Sequence, residues 1–366
     1  MMQRHTIALA AGGSGGHFFP AEALARELSA RGHRVVIFTD SRGEKYADRL
    51  GDIQLITLPA AAIGAGIMGK IKTAKVIAQA VWIARRHLKH LKAGAMVAFG
   101  GYPSFAPALA AKAVGIPLIL HDQGAKMSLA NQQLLRAANK LATSFPKVKG
   151  SEAFPQKDIV ETGNPVRSEM VALRLQPYTP PADSGPLYLL VTGGSQSANI
   201  FGEVVPPAVL ALPEAIRSRL HLSLQYKGDD AGEIEARLQA AGIRAQVTPF
   251  FRDMAERMAR AHLMITRAGA TTAAELLVVG RPAIYVPIPQ GGSKEEQLRN
   301  AETIAAAGAG WCVPQDQLTA SGLTAQLAHL LASPDVLASA ATAAHALGQP
   351  QAAIKLADLV EKNFSR

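Results

Sequence analysis

Residues 7–20 read IALAAGGSGGHFFP. An unbroken run of small apolar residues enters a turn holding four glycines, a serine and a histidine, and a helical pattern follows. Such a strand, glycine turn and helix start has two physical readings. The bare backbone admits an anion, because the first N–H groups of a helix point outward and its dipole favours negative charge. Alternatively the glycines serve only a tight turn and close helix packing. After the turn, Ala21, Leu24, Ala25 and Leu28 keep the i, i+3, i+4, i+7 spacing of a helix burying one face.

Outward from this turn, the first half alternates apolar runs with amphipathic stretches. Strands are expected at Thr6–Ala11, Arg34–Thr39, Ile53–Leu58, Ala95–Phe99, Pro117–His121 and Leu141–Phe145. Most are continuously apolar, as in a parallel sheet covered on both faces. Residues 174–186, RLQPYTPPADSGP, carry four prolines without periodicity and read as a domain edge. The pattern then restarts: LYLLVTGGSQSANI, residues 187–200, again sets an apolar strand before Gly-Gly-Ser and a helix. Further strands are expected at Leu220–Tyr226, Arg244–Thr248, Leu263–Thr266 and Ala283–Pro287. The alternation predicts an α/β chain of two doubly wound, Rossmann-like domains facing across a cleft. Their bounds are 1–168 and 169–349, and a last helix within 350–366, set off by Pro350, is expected to pack back on the first domain.

Composition narrows the classes. With 366 residues, 48% hydrophobic and 18% charged, the chain suits two globular domains, and no apolar run is long enough for a membrane span. The short apolar N-terminus flows into the glycine turn without a cleavage-like site, so no signal peptide is expected. A single cysteine, Cys312, excludes an internal disulfide or a cysteine metal cluster and suits a reducing compartment. The net charge of +10 sits in the first half: residues 1–170 hold 22 Lys and Arg against 11 Asp and Glu, and the remainder 16 against 17. No acid falls between Asp52 and Asp122, whereas Lys70, Lys72, Lys75, Arg85, Arg86, Lys89, Lys92 and Lys112 do. Such a field attracts an anionic partner, whether nucleic acid, an anionic membrane surface or a phosphorylated substrate.

Several residues are candidates for chemistry. Asp40 ends the second strand where a ribose-binding acid sits in nicotinamide folds, but no G-x-G-x-x-G frame fits residues 11–16. His17 stands at a helix start, whose positive end lowers its pKa and favours the neutral imidazole that a general base needs. A histidine merely capping the turn is the bland reading. In TRAGATTAAELLVVGRP, residues 266–282, Thr271, Thr272 and the neighbouring N–H groups suit a diphosphate, with Glu275 one turn on for two ribose hydroxyls. The same Thr272-Ala-Ala-Glu275 reads equally as a capping box, which needs no ligand. No D-x-D occurs and His and Asp do not cluster at ligand spacing, so no metal site is expected. Helix N-termini and an arginine would then have to stabilise a leaving diphosphate.

Taken together, GGSGGH, HDQG, TGNPVR, VTGGSQ, RAGATTAAE and EEQLRNA, in this order over nearly the whole chain, resemble the MurG family. These enzymes move N-acetylglucosamine from UDP-GlcNAc to undecaprenyl-diphospho-MurNAc-pentapeptide, turning lipid I into lipid II in peptidoglycan synthesis. The resemblance implies the GT-B architecture, an inverting transfer without metal or other cofactor, and a place at the cytoplasmic face of the cell inner membrane. Carried over by position, Ser14, Gly15 and Gly16 would lie where donor meets acceptor, and His17 would deprotonate the acceptor 4-hydroxyl. Arg167 and Ser195 look like diphosphate contacts. Phe251 of PFFRDM would pair its backbone with uracil, Ala270, Thr271, Thr272, Ala273 and Ala274 would cradle phosphate, Glu275 would hold ribose, and Gln297 would bind the donor sugar. The chain departs from the family pattern at Gly124, where HEQN becomes His121-Asp122-Gln123-Gly124, at Ser197 and at Glu296. These departures bear on donor affinity and sugar selectivity. Rival readings are a UDP-GlcNAc 2-epimerase and a non-catalytic nucleotide-sugar-binding protein.

The basic segment acquires a role from such an acceptor. Between residues 70 and 92, Ile77, Val81, Ala84, Leu88 and Leu91 form one stripe, and Lys75, Gln79, Trp82, Arg86 and Lys89 another. A tryptophan among cations suits the headgroup layer of an anionic membrane, and Ile63, Ile67 and Met68 could add to it. A solvated helix with Trp82 packed on a neighbour is the alternative. No zinc module or RNA-binding aromatic motif accompanies the charge, so no nucleic-acid partner is expected.

Overall fold

The computed structural model describes residues 4–60, 66–194, 199–291 and 293–364. The chain divides into two compact units, one of residues 1–167 with 350–366 and one of residues 168–349.

In the first unit, β1 (Thr6–Ala10), β2 (Arg34–Thr39), β3 (Gln54–Thr57), β4 (Ala93–Ala98), β5 (Leu118–Asp122), β6 (Lys140–Thr143) and β7 (Ile159–Glu161) form one sheet in the order 3-2-1-4-5-6-7. All neighbours are parallel. Parallel pairing requires crossovers, supplied by α1 (Gly15–Ala30), α2 (Gly66–His90), α3 (Tyr102–Val114) and the short α4 (Leu129–Leu134). Because both faces are covered, the strands alternate between two apolar layers. Ile7, Leu9, Val35 and Ile37 pack with Phe18, Leu24 and Leu28 of α1. Ala8, Val36, Phe38 and Ile56 face Ala80, Ala84 and Leu88 of α2.

The second unit opens with α5 (Ser168–Leu173) and places β8 (Leu187–Thr192), β9 (Leu220–Gln225), β10 (Arg244–Thr248), β11 (Leu263–Thr266), β12 (Ala283–Tyr285) and β13 (Gly310–Cys312) in the order 10-9-8-11-12-13, again parallel. Its helices are α6 (Asn199–Leu210), α7 (Glu214–Arg217), α8 (Ala231–Ala240), α9 (Met254–Arg260), α10 (Ala270–Val279), α11 (Lys294–Ala306), α12 (Ala320–Leu331) and α13 (Pro334–Leu347). After Pro350, α14 (Ala352–Glu361) belongs to the first unit. Its Leu356, Ala357 and Val360 join the α1 layer. Arg31 at the end of α1 pairs with Asp358 at 2.6 Å and Glu361 at 2.8 Å, and His33 meets Glu361 at 2.9 Å.

The α/β reading stands, with two edge strands added. β7 and β13 are three residues long and each pairs on one side only. At three residues each, Ile159-Val-Glu161 and Gly310-Trp-Cys312 are too short to show an apolar run, unlike the longer edge strands β3 and β10. Both sheets reverse direction next to their first strand, between β1 and β4 and between β8 and β11. In doubly wound sheets, ligands bind beyond the carboxyl ends of the strands at such a switch point.

Candidate active site

In the first unit the switch point lies between the turn after β1 and the turn after β4. Ser14 is the N-cap of α1 in extended conformation, and its carbonyl accepts from the N–H groups of His17 (3.1 Å) and Phe18 (3.0 Å). Its hydroxyl does not cap the helix. It bonds His17 Nδ1 at 2.9 Å, fixing the ring. The other side of His17 meets the turn after β4, where Gly100 and Gly101 have φ of 79° and 78°. A Cβ on Gly101 would stand 3.7 Å from His17 Nδ1 and Cε1, and one on Gly100 would stand 3.6 Å from Cδ2. The imidazole thus sits at van der Waals distance from this turn, whose positive φ values favour glycine. Its pKa is lowered to about 4, first by loss of hydration and second by the nearby Arg42 charge. The position at a helix start predicts the same direction; the causes in the folded protein are burial, then Arg42.

The four turn glycines divide by function. A Cβ on Gly13 would strike Asp40 Oδ1 and the Arg42–Gly43 backbone at 2.4–2.6 Å, because Gly13 N–H donates to Asp40 Oδ1 at 3.1 Å. Asp40 also accepts from Arg42 Nε at 2.6 Å. Asp40 therefore closes this turn with its carboxylate, which accounts for an acid at the end of β2 without a nicotinamide. Gly16, by contrast, is exposed, and a Cβ there would meet nothing within 4 Å.

Beneath the turns, His121, Asp122 and Gln123 of HDQG form a buried polar network. His121 Nε2 donates to Gly163 O at 3.0 Å, so the ring ties β5 to the segment leading to Asn164-Pro-Val-Arg167. Asp122 accepts from Ser128 N–H and Asn131 Nδ2, each at 3.0 Å, and Gln123 Nε2 donates to Phe99 O at 2.8 Å. Burial lowers the His121 pKa to about 4, against the Gly163 bond, and raises Asp122 to about 6, against four hydrogen bonds to its carboxylate. Arg167 closes the first unit, its guanidinium 5.1 Å from the Phe19 ring centre.

In the second unit the corresponding turns follow β8 and β11. Gly194 has φ 70°, its N–H donates to Thr192 Oγ1 at 3.1 Å, and its Cβ position is 3.8 Å from Thr272 Oγ1. The glycine turn and the start of α10 are thus adjacent; Ser195 and Ser197 lie outside the described residues. The N-cap of α10 is Gly269, with no side-chain cap. This overturns the capping-box alternative, since Thr272 lies inside the helix. Ala273 N–H donates to Gly269 O at 2.9 Å, so its amide turns into the helix, and the outward-facing first turn is Ala270, Thr271 and Thr272. Ala274 follows on the next turn and Glu275 is buried there.

Phe251 follows β10 and is buried, with Arg257 4.1 Å from its ring centre. Gln297 on α11 accepts from Ile288 N–H at 3.3 Å, anchoring the loop after β12. Two residues absent from the motif reading brace these loops. Asn300 Nδ2 donates to Ala268 O at 3.0 Å, and Arg267 reaches Val286 O at 3.1 Å and Gln315 Oε1 at 2.6 Å. Both lie within quoted motifs, RAGATTAAE and EEQLRNA, but their partners are loop carbonyls that no spacing reveals.

Comparison with known proteins places this arrangement. Family models match the glycosyltransferase family 28 N-terminal domain over residues 7–143 and the glycosyltransferase family 28 C-terminal domain over residues 188–357. The two doubly wound units are therefore the paired domains of a family 28 glycosyltransferase, of GT-B fold. The chain is 48% identical over 359 residues, 98% of its length and 94% of the relative's, to the UDP-N-acetylglucosamine--N-acetylmuramyl-(pentapeptide) pyrophosphoryl-undecaprenol N-acetylglucosamine transferase of Rhodospirillum centenum. It is 43% identical over 356 residues, 97% of its length and 95% of the relative's, to the protein of the same name from Methylobacterium sp. (strain 4-46). The crystal structure of Acinetobacter baumannii MurG superposes with a TM-score of 0.77 at 30% identity, covering 98% of this chain and all of that one. The chain belongs to the MurG family of N-acetylglucosaminyltransferases. A calicheamicin glycosyltransferase at 17% identity and TM-score 0.67, covering 99% of this chain and 98% of that one, shares the fold.

Proposed function

We propose that the chain transfers GlcNAc from UDP-GlcNAc to the MurNAc 4-hydroxyl of undecaprenyl-diphospho-MurNAc-pentapeptide, making lipid II from lipid I. The second unit holds the donor: Phe251 by its backbone toward uracil, Glu275 on ribose, the start of α10 with Ser195 on diphosphate, and Gln297 on the sugar. Arg167 of the first unit adds a cation to the diphosphate. Ser14, Gly15 and Gly16 receive the reacting sugars, and the open space at Gly16 suits that approach.

His17 carries the chemistry. With Nδ1–H donating to Ser14 Oγ, Nε2 is left unprotonated to accept the 4-hydroxyl proton, and the depressed pKa keeps the ring neutral at physiological pH. The acceptor oxygen bonds to the anomeric carbon from the face opposite UDP, the bond to the diphosphate oxygen breaks, and configuration inverts. Negative charge builds on UDP, where the α10 N-terminus and Arg167 offset it without a metal ion. The observation that carries this reading is the position of His17, pinned by Ser14 at the first unit's switch point. Its test is turnover of UDP-GlcNAc and a lipid I analogue with excess chelator; loss of turnover on chelation sinks the metal-free step.

The acceptor's lipid tail gives the basic segment a purpose. Among the described residues no helix is long and apolar enough to cross a membrane. On α2, Ala84 and Leu88 are buried, whereas Lys75, Gln79, Trp82, Arg86 and Lys89 are exposed. Trp82 is 62% exposed, with the Arg86 guanidinium 6.0 Å from its ring centre, an exposure that supports the docking reading. Ile63 lies outside the described residues. This face docks peripherally on the anionic cytoplasmic surface of the inner membrane, with no nucleic-acid role. Sedimentation with anionic vesicles tests it: Trp82→Ala reduces binding, and unchanged binding rejects the docking face.

A further inference from the structure

The two units cover their sheets unequally. In the first, α2 spans 25 residues, about 37 Å, and covers Val36, Phe38 and Ile56 of β2 and β3. In the second, the helix at the same place in the order is α9, with 7 residues, about 10 Å. The strands beneath it are correspondingly polar. The register aligns Tyr188, His221 and Arg244 in one cross-strand row and Leu190, Ser223 and Gln246 in the next. With Arg257 and Arg260 of α9 they line a recess of about 560 Å³. That volume lies in the usual range for small-molecule sites, roughly 300–1,000 Å³.

The chemistry of the recess is cationic and braced. Arg257 donates to Ser223 Oγ and Gln246 Oε1, each at 2.6 Å, and to Asp253 Oδ1 at 2.9 Å. Arg260 stacks on Tyr188 at 4.7 Å and donates to its hydroxyl at 2.9 Å. Arg244 Nη1 lies 3.4 Å from His221 Nε2. The lining also holds two carboxylates, Asp253 and Glu256. Asp253 pairs with Arg257, and neither Arg244 nor Arg260 has a carboxylate ion-pair partner among the described residues. Partial burial, then Arg244 and Arg260, hold the His221 pKa below its ordinary value, as a positive local field would. The guanidinium groups are thus fixed in position around a concavity rather than extended into solvent.

We propose that this recess binds a small soluble phosphate-bearing anion, held by Arg244 and Arg260 with Arg257 and Ser223 at its floor. Guanidinium forks match phosphate oxygens, and the Tyr188 ring, stacked under Arg260 and against His221, holds these groups in place around the recess. The recess opens at the amino ends of β8, β9 and β10, where Tyr188, His221 and Arg244 stand, whereas the donor residues follow the carboxyl ends; Arg257, 4.1 Å from the Phe251 ring centre, borders both, so the test leaves it in place.

The test is calorimetric titration of the full chain with inorganic pyrophosphate at low ionic strength, beside a separate titration with UDP. Arg244→Gln with Arg260→Gln is expected to remove a pyrophosphate-binding component, weakening it about tenfold or more, while UDP affinity holds. Gln246→Glu, which sets a carboxylate in the same recess, is expected to do likewise and serves if the double variant does not fold. Pyrophosphate isotherms that superpose for wild type and variants overturn the proposal. So does a loss confined to a hexaglutamate peptide or to anionic vesicles, which would make the recess a protein or lipid docking face.

Discussion

The switch points of the two sheets share a backbone plan and differ in what fills it. In the first unit the crossing is crowded with side chains: His17 is held by Ser14, bounded by Gly100 and Gly101, and Asp40 and Arg42 close the glycine turn. In the second, the turn at Gly194 faces Thr272 and an α10 that begins without a side-chain cap. One end thus presents a titratable group in a fixed pose, and the other presents backbone dipole. Division of this kind suits a reaction that takes a proton from one substrate and stabilises charge leaving on another.

The largest expected effect comes from removing the group unique to the first crossing. His17→Ala should lower kcat by about 10²–10⁴, the usual reach of a general base, with UDP affinity retained. In the wild type, the acid limb of kcat/KM should fall near pH 4, matching the depressed pKa of His17. A limb near 6.5 that vanishes with His17→Ala would contradict that assignment. On the donor side, Glu275→Ala should weaken UDP binding by about ten- to a hundredfold, the scale of lost charge-assisted hydrogen bonds. UDP binding that is unaltered would leave Glu275 a structural residue only.

Two glycines in the first turn sharpen the contrast at the level of stability. Gly13→Ala forces a Cβ against Asp40 and backbone and should cost about 1–3 kcal/mol. Gly16→Ala meets open space in the first turn of α1 and should be neutral or stabilising by up to about 1 kcal/mol, while turnover falls. If Gly16→Ala leaves both melting temperature and activity alone, no ligand approaches there.

The smallest effect concerns pH. Asp122 has a raised folded pKa, so the folded state favours its proton and this carboxyl's contribution is lost as pH rises from about 4 to about 6. His121, lowered to about 4, acts oppositely: its contribution is lost as pH falls from 6.5 toward 4. The two partly cancel in the wild type. Asp122→Asn removes the first alone and should make unfolding between pH 6 and 4 more acid-sensitive; chemical denaturation across that window checks it, and a flatter profile would reverse the sign.

Much of this was legible because apolar continuity marks strands covered on both faces, as at Leu187–Thr192. The edge strands β7 and β13 escape such a reading because each is only three residues long, whereas the longer edge strands β3 and β10 are legible. His17 was found by its place at a helix start, but not the Gly100–Gly101 turn that bounds it, although Gly-Gly directly after a strand is the same signal seen at residues 12–16. Thr272-Ala-Ala-Glu275 reads equally as a capping box or a ligand site because spacing alone does not locate the first helical residue; the N-cap at Gly269 does. Asn300 and Arg267 act on loop carbonyls, which are positioned by tertiary folding and leave no mark in local sequence.

The most direct measurement incubates the pure protein with UDP-GlcNAc and a lipid I analogue and weighs the products. The account predicts free UDP and an acceptor heavier by one N-acetylhexosamine residue, both lost in His17→Ala. An unmodified acceptor, with UDP-GlcNAc either intact or converted to its 2-epimer, would contradict it.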